Sequence, residues 1–337
     1  MPKRVGNLMP RIAAMENLHE AFLRAAKGKA GKHAVREFRE HLDENLSLMS
    51  RQLLDGTFQF GRYHFFTVYD PKQRTICAAS FPERVAFHAM MRICHPVFDN
   101  YQTNDSFASR KGRGQYAALE RTQHYARKYQ WFAKIDMRKY FDSIDHEVML
   151  SQLSRLFKDK QLMLYFRDLI DSYETTAGKG LPIGNLTSQY FANHYLAVAD
   201  HYAKQQLHVP AMVRYMDDVL LFGDDKNVLL EHIHLFNIYA REELKLETHA
   251  PVVNRTWMGI PFLGYVVKPH HLRLNGRSLL RFRHKMSRLQ YELAAGITDD
   301  ATYAKHATCL MAFVEKASVT KLKQKMNQTQ GMYPQGL

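Results

Sequence analysis

Apolar residues recur at three- and four-residue intervals over residues 12–55, as in Leu42, Leu46, Met49 and Leu53, which predicts a helical N-terminal region with a basic break at Lys27 to Lys32. The period then changes. Phe65 to Tyr69 and Thr75 to Ala78 read as two strands around the turn Asp70-Pro71-Lys72-Gln73, leaving Lys72 and Arg74 at or near a hairpin. Helical spacing resumes over 83–99. Ser106 to Gly114 is a loop in which glycine separates Arg110, Lys111 and Arg113 and lets backbone come close to a phosphate. Trp131 to Asp136 is an apolar strand ending on a carboxylate, followed by Met137 to Phe141 and a helix starting after Ser143 or Asp145. Gly178 to Gln189 is a Gly-rich turn feeding a helix over Tyr190 to Gln206, and helix starts of this kind bind anions through unpaired N–H groups.

Residues 213–222, Val-Arg-Tyr-Met-Asp-Asp-Val-Leu-Leu-Phe, set two adjacent carboxylates between two strand-forming runs, as at the tip of a tight hairpin. A helix over Asn227 to Leu244, a strand near Lys245 to Thr248 and the short apolar segment Pro261 to Tyr265 follow. In the last predicted helix Phe282, Met286, Leu289 and Leu293 share one face, while Arg281, Lys285 and Arg288 share another, suited to lie along a nucleic-acid backbone. A basic helix face taken alone is equally well explained as solvated surface.

At 337 residues, with 46% apolar content, the chain has room for two or three subdomains around a substantial core. The net charge of +14 is uneven: 13 basic and 8 acidic side chains lie in residues 1–75 and 12 against 4 in residues 265–337, so the middle is nearly neutral. A polyanion gripped from both sides, over a centre that keeps acids for metal, accounts for that distribution better than a membrane-surface helix or generic solubility charge. Cys77, Cys94 and Cys309 are far apart and lack metal or disulfide spacing, which points to a reduced, intracellular protein. With no signal peptide and no 18-residue apolar run, no membrane association is expected.

The acids then define the chemistry. Adjacent Asp217 and Asp218, with no basic neighbour in the turn, repel one another, and a divalent cation preferring oxygen offsets the cost. Asp136, at the end of a buried strand, is not needed as a helix cap because Asp142, Ser143 and Asp145 lie nearer the helix start. Asp136, Asp217 and Asp218 together are the expected catalytic and metal-binding set for in-line displacement at phosphorus with two ions, Mg2+ by preference. Gly223-Asp224-Asp225 resembles the Gly-Asp-Asp of RNA-copying RNA polymerases, but a helical run follows it, so Asp224 and Asp225 read as caps.

The order of these blocks resembles a reverse transcriptase from about residue 40 to residue 270. The resemblance implies an α+β right-hand polymerase: a helical N-terminal region at 1–55, fingers with part of the palm at 56–130, a palm with an antiparallel sheet at 131–265, and a short helical thumb with a C-terminal tail at 266–337. It implies nucleotide contacts from Lys72, Arg74, Ile183, Gly184, Gln189 and Lys245, and from Phe141 as the bulky side chain that excludes a ribose 2′-hydroxyl. It further implies template and primer contacts from Arg110, Lys111, Arg113, Tyr215, Met216, Leu263, Gly264, Tyr265, Arg281, Lys285 and Arg288, with Leu263-Gly264-Tyr265 resembling the primer grip. The implied cofactors are two Mg2+ ions, with Mn2+ able to substitute. The implied ligands are a structured template RNA, the RNA/cDNA duplex and deoxynucleoside triphosphates.

Most reverse transcriptases carry Gln-Gly and then Ser-Pro in the Gly-rich block; here it reads Ile183-Gly184-Asn-Leu-Thr-Ser188-Gln189. With Ser109 to Gly114 upstream and Gln189-Tyr-Phe-Ala-Asn193 downstream, the chain is similar to enzymes of diversity-generating retroelements. These copy a template-repeat RNA into adenine-mutagenised cDNA with a small basic helical accessory protein, oligomeric, as partner. Ile183 offers no polar contact beside the nascent pair, and losing one such contact costs roughly 1–3 kcal/mol of discrimination, so low fidelity is expected. Glu83-Arg84 replaces the Asp-Arg of many relatives and is expected to keep the charge pair. A chain of this length is expected to lack RNase H, endonuclease and maturase domains and to act in the cytoplasm of a bacterial, archaeal or phage-infected cell. The nearest alternative is an antiphage-defence or retron-like reverse transcriptase using a dedicated non-coding RNA. An idle RNA-binding polymerase scaffold and an RNA-synthesising polymerase are disfavoured by the intact acids and by Phe141.

Overall fold

The computed structural model describes residues 3–69 and 73–317. The expected N-terminal helices are α1 (Met9–Ile12), α2 (Met15–Ala26), α3 (His33–Glu40) and α4 (Leu42–Asp55), the last burying Leu46, Met49 and Leu53 on the face the spacing predicts. Strands β1 (Tyr63–Val68) and β2 (Arg74–Ala79) form an antiparallel ribbon, Val68 opposite Arg74. The turn that carries Lys72 lies outside the described residues. Helix α5 (Phe81–Tyr101) begins with a capping box in which the Ser80 hydroxyl and the Glu83 backbone and carboxylate satisfy one another. Glu83 also accepts from the amides of Gly61 at 2.6 Å and Arg62 at 3.0 Å. Arg84 donates to the Ala25 carbonyl at 3.1 Å. The expected Glu83–Arg84 pair is therefore replaced by two separate backbone anchors.

Helix α6 (Gln115–Lys128) leads into β3 (Trp131–Asp136), which is followed by α7 (Tyr140–Ser143), α8 (His146–Ser154) and α9 (Lys160–Asp171). Asp145 caps α8, accepting from Val148 N at 3.1 Å. The helix expected over 190–206 starts earlier and breaks at Leu196, giving α10 (Leu186–Tyr195) and α11 (Ala197–Gln205). Next come β4 (Ala211–Tyr215), β5 (Asp218–Gly223), α12 (Lys226–Glu242) and β6 (Val252–Arg255). Asp225 caps α12, and Asp224 accepts from Gln130 N at 3.1 Å, so this second acid pair is structural. No strand forms at 245–248. Lys245 holds a positive φ of 53°, Thr248 makes one isolated bridge to Met137, and the sheet's outer strand is β6.

The central antiparallel sheet runs β4-β5-β3-β6 and separates two cores. Strand alternation explains the division. Phe132, Val213, Leu220 and Phe222 point to one side, against α6 and a three-stranded sheet of β7 (Ile260–Phe262), β8 (Tyr265–Val267) and β9 (Leu272–Leu274). Ala133, Ile135, Met212, Val219 and Leu221 point to the other, into the large core shared with most helices. Two long helices, α13 (Gly276–Ala294) and α14 (Asp300–Glu315), pack through Phe282, Met286 and Val314. They join the three-stranded sheet through Tyr265, whose hydroxyl donates to Phe313 O at 2.5 Å. Among the described residues, no helix is long and apolar enough to cross a membrane.

Candidate active site

Asp136 is the last residue of β3 and Asp218 the first of β5, and the two are direct partners in the antiparallel register. Tyr215 lies opposite Asp218 from β4, so a two-residue turn, Met216-Asp217, closes the hairpin. The adjoining ends of β3 and β5 thus gather the adjacent pair Asp217 and Asp218 with Asp136, about eighty residues earlier in sequence. Burial pushes the Asp217 carboxyl up to about 6; its own amide pulls the other way, the Asp218 and Asp136 charges raise it further, and Arg74 lowers it. The positive charge of Arg74 on β2 is thus felt at the Asp217 carboxyl. Lys134, two residues before Asp136 on the same face of β3, pairs with Asp218 at 2.8 Å. The repulsion expected to demand a cation is thus partly offset by the protein's own Lys134 and Arg74.

Among the described residues, no three His, Cys, Asp or Glu side chains stand close enough to hold an ion by themselves. The half-buried aspartates nevertheless suit Mg2+, which keeps waters and substrate phosphates and asks the protein for one or two carboxylates. Asp136, Asp217 and Asp218 are the residues that would hold it.

A cleft of about 880 Å³ opens over these strand ends. Lys134 and Asp218 meet Leu263, Gly264, Arg281 and Lys285 there, so four of the template and primer residues expected from sequence share a wall with an expected catalytic acid. Leu263 and Gly264 form the β7–β8 turn with φ of 49° and 87°, and Gln115 donates to Leu263 O at 2.8 Å. Arg288 lies further along α13, paired with Glu292 at 2.7 Å. Tyr215 packs toward the smaller core.

Ile183 and Gly184 are brought to β2. The Cys77 amide donates to Ile183 O at 2.8 Å, and a Cβ at Gly184 would lie 2.8 Å from Ile76 Cγ2. Phe141 is half-buried against the large core, and its carbonyl accepts from Leu181 N at 2.8 Å, joining it to the same Gly-rich segment. Gln189 is exposed on α10, inside the helix rather than ahead of it.

Three expected contacts are placed differently. Arg110 turns inward, pairing with Asp99 at 2.7 Å and donating to the carbonyls of Thr103 and Ser106; it holds its loop together instead of facing a ligand. Arg113 donates to Asn104 O at 3.0 Å and lies over the Phe107 ring, leaving Lys111 as the exposed cation of that loop. Lys245 donates to Glu242 O at 2.9 Å, capping α12 where a triphosphate contact was expected.

Residues 71–266 match the reverse transcriptase (RNA-dependent DNA polymerase) family. The chain belongs to that family. It is 24% identical over 173 residues to a putative COX1/OXI3 intron 1 protein of Saccharomyces cerevisiae, covering 49% of this chain and 21% of that protein. It is 22% identical over 281 residues to the intron 2 protein of the same yeast, covering 61% and 32%. It is 23% identical over 172 residues to the group II intron-encoded protein LtrA of Lactococcus lactis subsp. cremoris, covering 48% and 29%. The chain thus spans roughly a fifth to a third of these relatives' lengths. Among solved structures, apo telomerase from Candida tropicalis matches with a TM-score of 0.49 at 10% identity, covering 64% of this chain and 49% of that one.

Two features of this reverse transcriptase site lay outside the sequence expectations. Lys134 was legible in principle, because it shares strand parity with Asp136, but it sat inside a run read as apolar. Arg214 is the other: it is fully buried, two residues before Met216 on the opposite face of β4 from Tyr215.

Proposed function

We propose that the chain is an RNA-directed DNA polymerase of a diversity-generating retroelement, copying a template-repeat RNA into low-fidelity, adenine-mutagenised cDNA. The polymerase reading is carried by one observation: Asp136 and Asp218 face each other across β3 and β5, with Asp217 in the adjoining turn. Asp136, Asp217 and Asp218 would hold two Mg2+ ions, or Mn2+ in their place, which would supply Lewis-acid activation of a primer 3′-hydroxyl and charge neutralisation at a triphosphate. The chain's residues do the positioning. Arg74 and Lys134 balance charge at the acid edge. Leu263 and Gly264 of the β7–β8 turn, with Arg281 and Lys285 of α13, border the path of an RNA/cDNA duplex. Phe141 sits under the deoxyribose, and Ile183 lies beside the nascent pair.

The retroelement assignment rests on the Ile183-Gly184 to Ser188-Gln189 block and on Ser109 to Gly114. Its partners on this reading are a structured template RNA, deoxynucleoside triphosphates and a small basic helical accessory protein, in the cytoplasm of a bacterial, archaeal or phage-infected cell. Purification from the native host with sequencing of bound RNA and cDNA tests it. Template-repeat RNA with cDNA mutated at adenines is the expected result. A non-coding RNA with no variable-repeat counterpart would instead assign the enzyme to a defence or retron-like system. Ile183→Gln is expected to lower adenine misincorporation about ten- to a hundredfold, and an unchanged error spectrum rejects its role in fidelity.

A further inference from the structure

The geometry points to Arg214 as a positioning residue that sets the acid hairpin by holding the Met216 carbonyl. This rests on the reading of Asp217 and Asp218 as catalytic, but the observations are independent of it. Met216 is a non-glycine residue in the turn with a φ of +56°, a left-handed conformation that L side chains rarely adopt and that persists only where the surroundings fix it. Arg214 Nη1 donates to the Met216 carbonyl at 3.1 Å. No flexible surface side chain makes this contact, because Arg214 is held on every side.

All five guanidinium N–H groups have acceptors. Nε meets both oxygens of Asp200 at 2.8 Å, and Nη2 lies 2.8 Å from Asp200 Oδ2. Nη1 also donates to Asn193 Oδ1 at 2.8 Å, and Nη2 donates to Gln102 Oε1 at 2.9 Å and Asn193 O at 3.1 Å. The Arg214 backbone is fixed as well: its amide donates to Asp105 O at 2.8 Å and its carbonyl accepts from Phe107 N at 3.0 Å. One side chain therefore ties the hairpin tip to α5's end, α10 and α11 at once.

Arg214 and Asp200 are both completely buried. A hydrophobic pair of similar volume packs such a site at no loss of stability, so stability alone gives little reason for an ion pair here. The guanidinium supplies something that pair cannot, a planar fork that reaches Asp200, Asn193 and the Met216 carbonyl together. Fixing that carbonyl fixes the Met216–Asp217 peptide, and with it the direction of the Asp217 side chain.

Two variants of the full chain test this, with thermal stability, affinity for a preformed RNA/DNA duplex, primer-extension kcat and KM, and amide exchange at Met216 and Asp217 as readouts. Arg214→Met with Asp200→Leu removes the charge pair together. Arg214→Lys keeps a charge beside Asp200 but loses the fork, and serves where the double variant does not fold. The expected result is duplex affinity and melting close to wild type, kcat lowered about ten- to a hundredfold with KM little changed, and faster exchange at the two hairpin amides. Wild-type kcat with wild-type hairpin exchange in a folded variant would overturn the proposal, leaving Arg214 a packing residue. If Asp217→Asn also polymerises normally, the catalytic reading itself fails; Arg214 is still judged by the exchange measurement.

Discussion

The amide of Cys77 donates to the carbonyl of Ile183 at 2.8 Å, which locks the Gly-rich segment onto β2. The neighbouring Gly184 has a φ of +121° and leaves no room for a side chain: a Cβ would lie 2.8 Å from Ile76 Cγ2 and 3.0 Å from Cys77 O. Gly184→Ala must push the two segments apart. The expected outcome is about 1–3 kcal/mol lower stability and at least a tenfold fall in kcat/KM for nucleotide, with duplex binding preserved. Single-nucleotide insertion kinetics and thermal melting check it; wild-type insertion by Gly184→Ala would show that the junction does not shape the nucleotide site.

Asp217 illustrates a conflict between stability and chemistry. Burial and the Asp218 and Asp136 charges push its carboxyl up, so at pH 7 the metal-free protein holds an ionised group at a cost. Asp217→Asn removes the charge while keeping the shape. The unfolding free energy of the metal-free variant at pH 7 is expected to rise by about 1–2 kcal/mol, read as a higher melting temperature, while primer extension falls about a thousandfold or more. Asp136→Asn is expected to lose activity to a similar degree. A variant that melts lower and still polymerises would contradict both halves.

What the sequence made legible were elements whose local pattern and tertiary role agree. Trp131 to Asp136 forms the strand its apolar run predicts, and Asp225 caps α12 as its position before a helical run requires. What it hid was decided by distant partners. Val252 to Arg255 is a strand because β3 offers it an edge, whereas the candidate at 245–248 fails because Lys245 takes a left-handed turn into the end of α12. Arg110 resembles a ligand contact in its Gly-rich setting, yet Asp99 on α5, eleven residues earlier, draws it inward. Arg214 stands in an apolar run that gives no sign of its six acceptor atoms on Gln102, Asn193, Asp200 and Met216, a network that exists only once the end of α5, α10, α11 and the β4–β5 hairpin have met.

Phe141 stands at the junction of α7 and the Gly-rich segment, its carbonyl bonded to Leu181 N and its ring edge-on to Tyr140 at 5.8 Å. Tyr140 is anchored in turn by its hydroxyl to the Ala192 carbonyl. If this rigid ring excludes a 2′-hydroxyl, Phe141→Ala is expected to raise ribonucleotide use relative to deoxynucleotide use about tenfold or more, with catalysis on deoxynucleotides reduced only a few-fold. Competition between a ribonucleotide and its deoxy counterpart on one template measures the ratio, and an unchanged ratio would remove Phe141 from sugar selection.

His194 on α10 carries a pH dependence away from the acid edge. Its ring is buried between Phe98 and Tyr101, and among the described residues neither nitrogen has a hydrogen-bond partner. Burial lowers its pKa to about 3; the Gln152 backbone favours the proton slightly without reaching hydrogen-bonding geometry, and Arg214 and His201 oppose it. The folded protein keeps the ring neutral where the unfolded chain, with a histidine near 6.5, takes up a proton. Stability from this group is therefore complete above pH 6.5 and falls by about 1.4 kcal/mol per pH unit as pH drops from 6.5 toward 3. His194→Phe has no proton to exclude, so its melting temperature is expected to fall less steeply than wild type between pH 6.5 and 4.5. Parallel slopes for the two proteins over that range would show that His194 does not set the acid sensitivity.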